Sequence, residues 1–146
     1  MKIRNCWTVL AKKAQDEVNE RIQVVTEFRK RVDHLLQSRE RMSIMLADYQ
    51  NKAQQKQLAL QGMGDATNMR QFILQLHELL RRVNEDLESA QSRLADAQKR
   101  VQLAEKEKLK MQTLVEKDQV AVKSWERKQD QKTMDALGVT LFNIKT

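Results

Sequence analysis

A chain of 146 residues with 4% aromatics, 32% charged side chains and no proline has room for one domain, but not for a thick globular core. Its net charge of +7 is interspersed rather than gathered into a basic stripe with aromatics, which argues against a nucleic-acid groove. A single cysteine, Cys6, excludes an internal disulfide and a cysteine-based metal cage, and fits a reducing cytoplasm.

The chain starts MKIRNCWTVLAKKAQDE, a basic onset without the apolar run of a signal peptide. No window approaches the ~20 consecutive apolar residues of a membrane span. Alternate steps of three and four from Trp7 meet Ala11, Ala14, Val18, Val25, Phe28, Val32, Leu35, Met42, Leu46, Tyr49 and Ala53, broken only by Arg21 and Arg39. A seven-residue repeat held this long is the seam of a coiled coil, and it predicts a first helix over residues 1–61. Acid-first pairs four apart, among them Glu17/Arg21, Glu27/Arg31, Asp48/Lys52 and Glu78/Arg82, belong on exposed helical faces.

Two of the three glycines then fall together in QGMGDATN, residues 61–68. Gly62 suits the left-handed conformation that ends a helix, and Gly64 loosens the adjoining backbone, so residues 62–67 read as a turn. Asn68 with Gln71 resembles a capping pair that opens a second helix over residues 68–137. The same stepping rule there meets Ile73, Leu76, Leu80, Val83, Leu87, Ala90, Leu94, Ala97, Val101 and Ala104, and runs on to Val122 and Trp125. Beyond Gly138 the apolar stretch VTLFNIKT, residues 139–146, reads with the glycine as a tail. The expected fold is all-α: two long helices, each about 90 Å at 1.5 Å per residue, closed into an antiparallel coiled-coil hairpin. Folding near residue 64 or 65 pairs residues whose numbers sum to 129, setting Leu35 against Leu94, Val32 against Ala97 and Arg21 against Lys108. The last pair predicts a splayed or hydrated layer.

Where the stripe is too wide, a partner surface is expected. Ile44, Met45, Phe72, Leu74 and Leu79 widen it near the turn, beside Leu46, Tyr49 and Leu76. Residues 1–30 and 110–146 carry 14 Lys/Arg against 9 Asp/Glu, so the end bearing both termini is the basic one. His34 and His77 stand on different helices and read as surface residues. No Gly-rich phosphate loop, Walker motif or HExxH occurs, so the reading is of a non-enzyme with no cofactor, metal or small-molecule substrate. On these residues alone an unrelated coiled-coil scaffold fits as well as any particular partner protein.

LADYQ (46–50), QFILQL (71–76) and DQKTMDA (130–136), in a basic chain of two helices, resemble the FliJ family of the flagellar type III protein export apparatus. The resemblance implies a non-enzymatic stalk and general export chaperone at the cytoplasmic face of the inner membrane. Its termini-bearing end would insert into the hexameric export ATPase (FliI), with Arg127, Lys128, Lys132 and Met134 as contacts. Its other end would meet the export gate protein (FlhA) through Leu46, Tyr49, Phe72 and Leu76, and export chaperones are further implied partners. Met42 stands where the family often has glutamine, and Ala53 where it has a second tyrosine, which implies a smaller or rearranged gate contact. Injectisome stalks share the architecture; LADYQ and QFILQL favour the flagellar version.

Overall fold

The structure, a computed structural model, describes residues 5–58 and 63–145. It consists of helix α1 (Asn5–Leu58) and helix α2 (Met63–Lys145), which pack against each other as a helical hairpin. Chain contacts divide it into two compact units, Ile22–Lys99 and Met1–Arg21 with Arg100–Thr146.

The seam forms as the repeat requires. Of the seam positions named above, only Arg39 and Trp125 are exposed; every other is buried or half-buried. The buried residues are all Ala, Val or Leu, and among the described residues no polar side chain is buried. Small seam residues suit two helices whose axes lie about 8–10 Å apart. In the Ile22–Lys99 unit, Val32, Leu35, Leu87 and Ala90 form one buried cluster, with Leu36 and Leu94 packed against it. In the other unit Ala14, Val18, Ala104 and Val122 are buried.

That cluster corrects the register. Val32 and Leu35 cluster with Leu87 and Ala90, so facing residue numbers there sum to about 122 rather than 129. The ring contact between Tyr49 and Phe72 agrees, since those numbers sum to 121. The helices are thus offset by one heptad from the expected pairing. A seven-residue repeat explains the error, because sliding one helix by seven keeps every layer filled with the same kind of residue. Arg21 and Lys108, the expected like-charged layer, lie in the other unit. Both are half-buried, and Arg21 Nε donates to Glu17 Oε1 at 2.8 Å.

The offset moves the turn. Residues 63–67, expected in the turn, are the first of α2, and Gly62 lies outside the described residues. Asn68 is therefore a helix-interior residue and caps nothing. Ala66 and Met69, both half-buried, extend the seam backwards into this stretch. Gly138 does not end α2 either, and the expected tail is helical to Lys145. A Cβ added at Gly138 would meet nothing within 4 Å, so packing does not require a glycine there. Glycine costs a helix about 1 kcal/mol relative to alanine, which lowers stability without stopping the helix.

Of five acid-first pairs, Asp96/Arg100 being the fifth, three close: Glu17–Arg21 at 2.8 Å, Asp48–Lys52 at 3.5 Å and Glu78–Arg82 at 3.5 Å, while Asp96 and Arg100 do not. Glu27 and Arg31 do not pair. Arg81 adds a fork that the four-apart rule overlooks, donating from Nε and Nη2 to the two Glu78 oxygens at 3.0 and 2.6 Å, while its Nη1 reaches Glu85. The Arg81 hydrogen bonds hold the Glu78 carboxyl below its ordinary value, and the two acids push the guanidinium up. All three are exposed, so their contribution to stability is small.

Two measurements check this fold. In a Cys6→Ser background, V32C/A90C is expected to form an intrachain disulfide under mild oxidation, while V32C/A97C is not. The second pair is offset by about 10 Å along the axis, too far to bridge. Leu87→Ala, which empties a 3%-exposed position, is expected to lose about 2–5 kcal/mol in chemical denaturation. Leu74→Ala, at a 67%-exposed position, should stay within about 0.5 kcal/mol of the parent chain.

Candidate functional site

A helix pair with a filled seam has only its outer faces left for recognition, so the apolar residues outside the seam are the informative ones. In the Ile22–Lys99 unit they sort by helical angle. Ile44 and Leu74 each precede a seam leucine by two residues, which turns them about 200° away from it. They are 60% and 67% exposed on the outer faces and do not join a common patch, contrary to expectation.

Tyr49 and Phe72 do meet. The rings of Tyr49 and Phe72 lie 4.6 Å apart at 56°, a tilted contact between α1 and α2. Such aromatic pairs contribute about 0.5–1.5 kcal/mol beyond the area they bury. Lys52 Nζ sits 5.3 Å from the Tyr49 ring centre and 3.5 Å from Asp48 Oδ2, which holds a cation over the ring. Met45, four residues before Tyr49, and Leu79, seven after Phe72, are placed by helical spacing on the same lateral side. They are 44% and 43% exposed. The result is a strip of Met45, Tyr49, Phe72 and Leu79 along one flank of the seam.

The four residues expected at the gate are therefore not equivalent. Leu76 is 3% exposed and belongs to the core, so it reaches a partner only if the hairpin opens. Leu46 is half-buried in the seam. Phe72, expected to stand clear of the seam, is half-buried against Tyr49, which is half-buried as well. Met45 and Leu79 are the residues that the expected set leaves out. Their signal is the spacing of seven between Phe72 and Leu79, which marks a second stripe beside the seam.

The end of α2 is different in kind. Burial on this helix stops at Val122, and every residue from Lys123 to Ile144 is exposed. Trp125, expected in the seam, is 42% exposed. Arg127, Lys128 and Lys132 are all exposed here. Ser124, Arg127, Lys128, Gln131 and Lys132 line one shallow basic groove along the helix. Met134, Leu137, Leu141 and Ile144 continue at steps of three and four, and each is more than half exposed. Steps of three and four from Val122 reach Gln129, Lys132, Ala136 and Asn143 instead, so this stripe faces elsewhere than the seam. A helix shows such a stripe when something else covers it.

His34 and His77 are exposed, and among the described residues no group of three or more His, Cys, Asp or Glu is placed to hold a metal ion. No helix among the described residues is long and apolar enough to cross a membrane.

Comparison with known proteins adds one match. No curated protein and no solved structure matches this chain. The family described as flagellar FliJ protein matches residues 8–145, nearly the whole chain and both helices. The chain belongs to the flagellar FliJ protein family.

Proposed function

We propose that this chain is the non-enzymatic stalk of the flagellar protein export apparatus, engaging the hexameric export ATPase through the exposed end of α2. Membership of the FliJ family supports the coarse part, a structural and chaperone-like component of flagellar export. The finer part rests on a single observation: from Lys123 to Ile144 α2 is exposed on all sides and carries an uncovered apolar stripe. Met134, Leu137 and Leu141 supply the apolar contacts of that stripe, Arg127 stands in line with it seven residues before Met134, and Lys128 and Lys132 supply cations on the other faces of the same helix. A lone amphipathic helix of this kind offers a ring-shaped partner contact all the way round. Export chaperones are secondary partners in this reading.

The strip of Met45, Tyr49, Phe72 and Leu79 is then the surface that meets the export gate protein. Tyr49 and Phe72 hold each other in place, so little rotamer freedom is lost when a partner covers them.

Both halves are testable with purified components. The full chain is expected to raise hexamer assembly and ATP hydrolysis by the cognate export ATPase. M134D/L141D should abolish that effect and Phe72→Ala should leave it unchanged. If the wild-type chain alters neither quantity at saturating concentration, the stalk assignment fails. For the gate, Leu79→Glu and Phe72→Ala are expected to weaken binding to the cytoplasmic domain of the gate protein by about tenfold or more, or at least 1.4 kcal/mol. Leu74→Glu, on the outer face, should bind like the parent chain; equal weakening by all three would mean that the strip is not the gate surface.

A further inference from the structure

The lateral face that carries the apolar strip continues away from the turn, and its character changes. Steps of seven trace it: Met45 back to Ser38 and Arg31 on α1, and Phe72 to Leu79, Asp86 and Arg93 on α2. At that far end Phe28, Arg31, Asp86, Ser89, Ala90 and Arg93 line a notch of about 150 Å³ between the helices. Ala90 is 5% exposed and forms its floor, where a seam residue without a long side chain leaves room beside Phe28. Arg31 and Arg93 stand on opposite helices, and Asp86 is the only acid on the notch wall, which leaves the wall with a net positive charge.

Neither arginine is engaged. Glu27, four residues before Arg31 and the expected partner, does not pair with it. Among the described residues no ion pair or side-chain hydrogen bond involves Arg31, Arg93 or Asp86. Two unpaired guanidinium groups on different helices, beside an apolar floor, supply the donors with which arginines take a carboxylate.

We propose that this notch receives a carboxylate side chain of the protein that docks on the apolar strip. The inference rests on the reading of that strip as a gate-binding surface, and it specifies the chemistry of the partner. Arg31 and Arg93 each lie fourteen residues from Met45 and Leu79, about 21 Å along the helices. The partner segment therefore carries apolar residues at one end and an Asp or Glu about 21 Å further on, a spacing that fourteen residues of a helix provide. The strip supplies contact area, while the arginines set the register and direction of docking.

The test measures binding of the full chain to the gate protein's cytoplasmic domain by calorimetry, at low and at high salt. R31Q/R93Q is expected to bind about tenfold more weakly at low salt, and to converge on the wild type as salt rises. Asp86→Asn, which removes the competing acid, should bind more tightly than wild type at low salt. Opposite signs from neighbouring exposed residues are not produced by a change in hairpin stability, which thermal melts of each variant check. If wild type binds and R31Q/R93Q binds equally well, the notch is not used and the strip reading stands. If wild type does not bind at all, the strip reading fails and the notch proposal falls with it. Inorganic phosphate, titrated against the chain alone, is expected not to bind in the millimolar range. Saturation there, lost in R31Q/R93Q, would make the notch a site for small anions and overturn the proposal.

Discussion

Everything in this molecule depends on one narrow apolar seam between two helices. There is no second layer behind it, so each helix turn is held by whatever its own seam residue contacts. Those contacts come from small side chains, Ala14, Val18, Val25, Val32, Ala90, Ala97 and Ala104 among them, with Leu35, Leu76 and Leu87 as the larger fillers. Among the described residues no large side chain is completely enclosed. Isolated helices gain little from intrinsic propensity in water, and tertiary burial of one face supplies the rest. A chain built this way uses its polar residues to keep the outer faces solvated.

That division of labour makes the exceptions meaningful. Surface ion pairs such as Arg81 with Glu78 and Glu85 lie on helix faces where charge is expected, and each is worth little. Apolar residues outside the seam have no such explanation. Some stand singly, as Ile44, Leu74, Leu103 and Leu109 do, and two groups stand out, the strip around the Tyr49–Phe72 contact and the bare end of α2. The two differ physically. The strip is a flank of a packed helix pair, pre-positioned by an aromatic contact between the helices. The α2 end is a single helix whose stripe faces away from the seam. A flank suits a flat or grooved protein surface, and a lone helix suits a partner that surrounds it.

The arginine notch belongs to the same logic. Wherever a coiled coil places alanine in its seam it leaves a shallow gap, and what lines the gap depends on the neighbouring stripes. Around Ala90 those neighbours are Arg31 and Arg93. Around Tyr49 and Phe72 they are Met45 and Leu79. One lateral face thus passes from apolar to cationic within two heptads, which is a directional signal for a docking partner.

The helices, the seam and the family were all legible in the residues alone. Hydrophobic period is a local property, and an unbroken repeat of three-and-four steps leaves one architecture for a chain with so few aromatics. LADYQ and QFILQL were equally plain, being contiguous words. The register was not, because a seven-residue repeat satisfies its own pattern at every shift of seven. Only the clustering of Val32 and Leu35 with Leu87 and Ala90 distinguishes one shift from the next. The turn position went with the register, so Gly64 and Asn68 read as turn and cap while tertiary contact at Ala66 and Met69 kept them helical. Burial of Leu76, exposure of Trp125 and the meeting of Tyr49 with Phe72 all depend on which residues face each other across the two helices. Such pairings are long-range facts, and they come into being only when the helices pack.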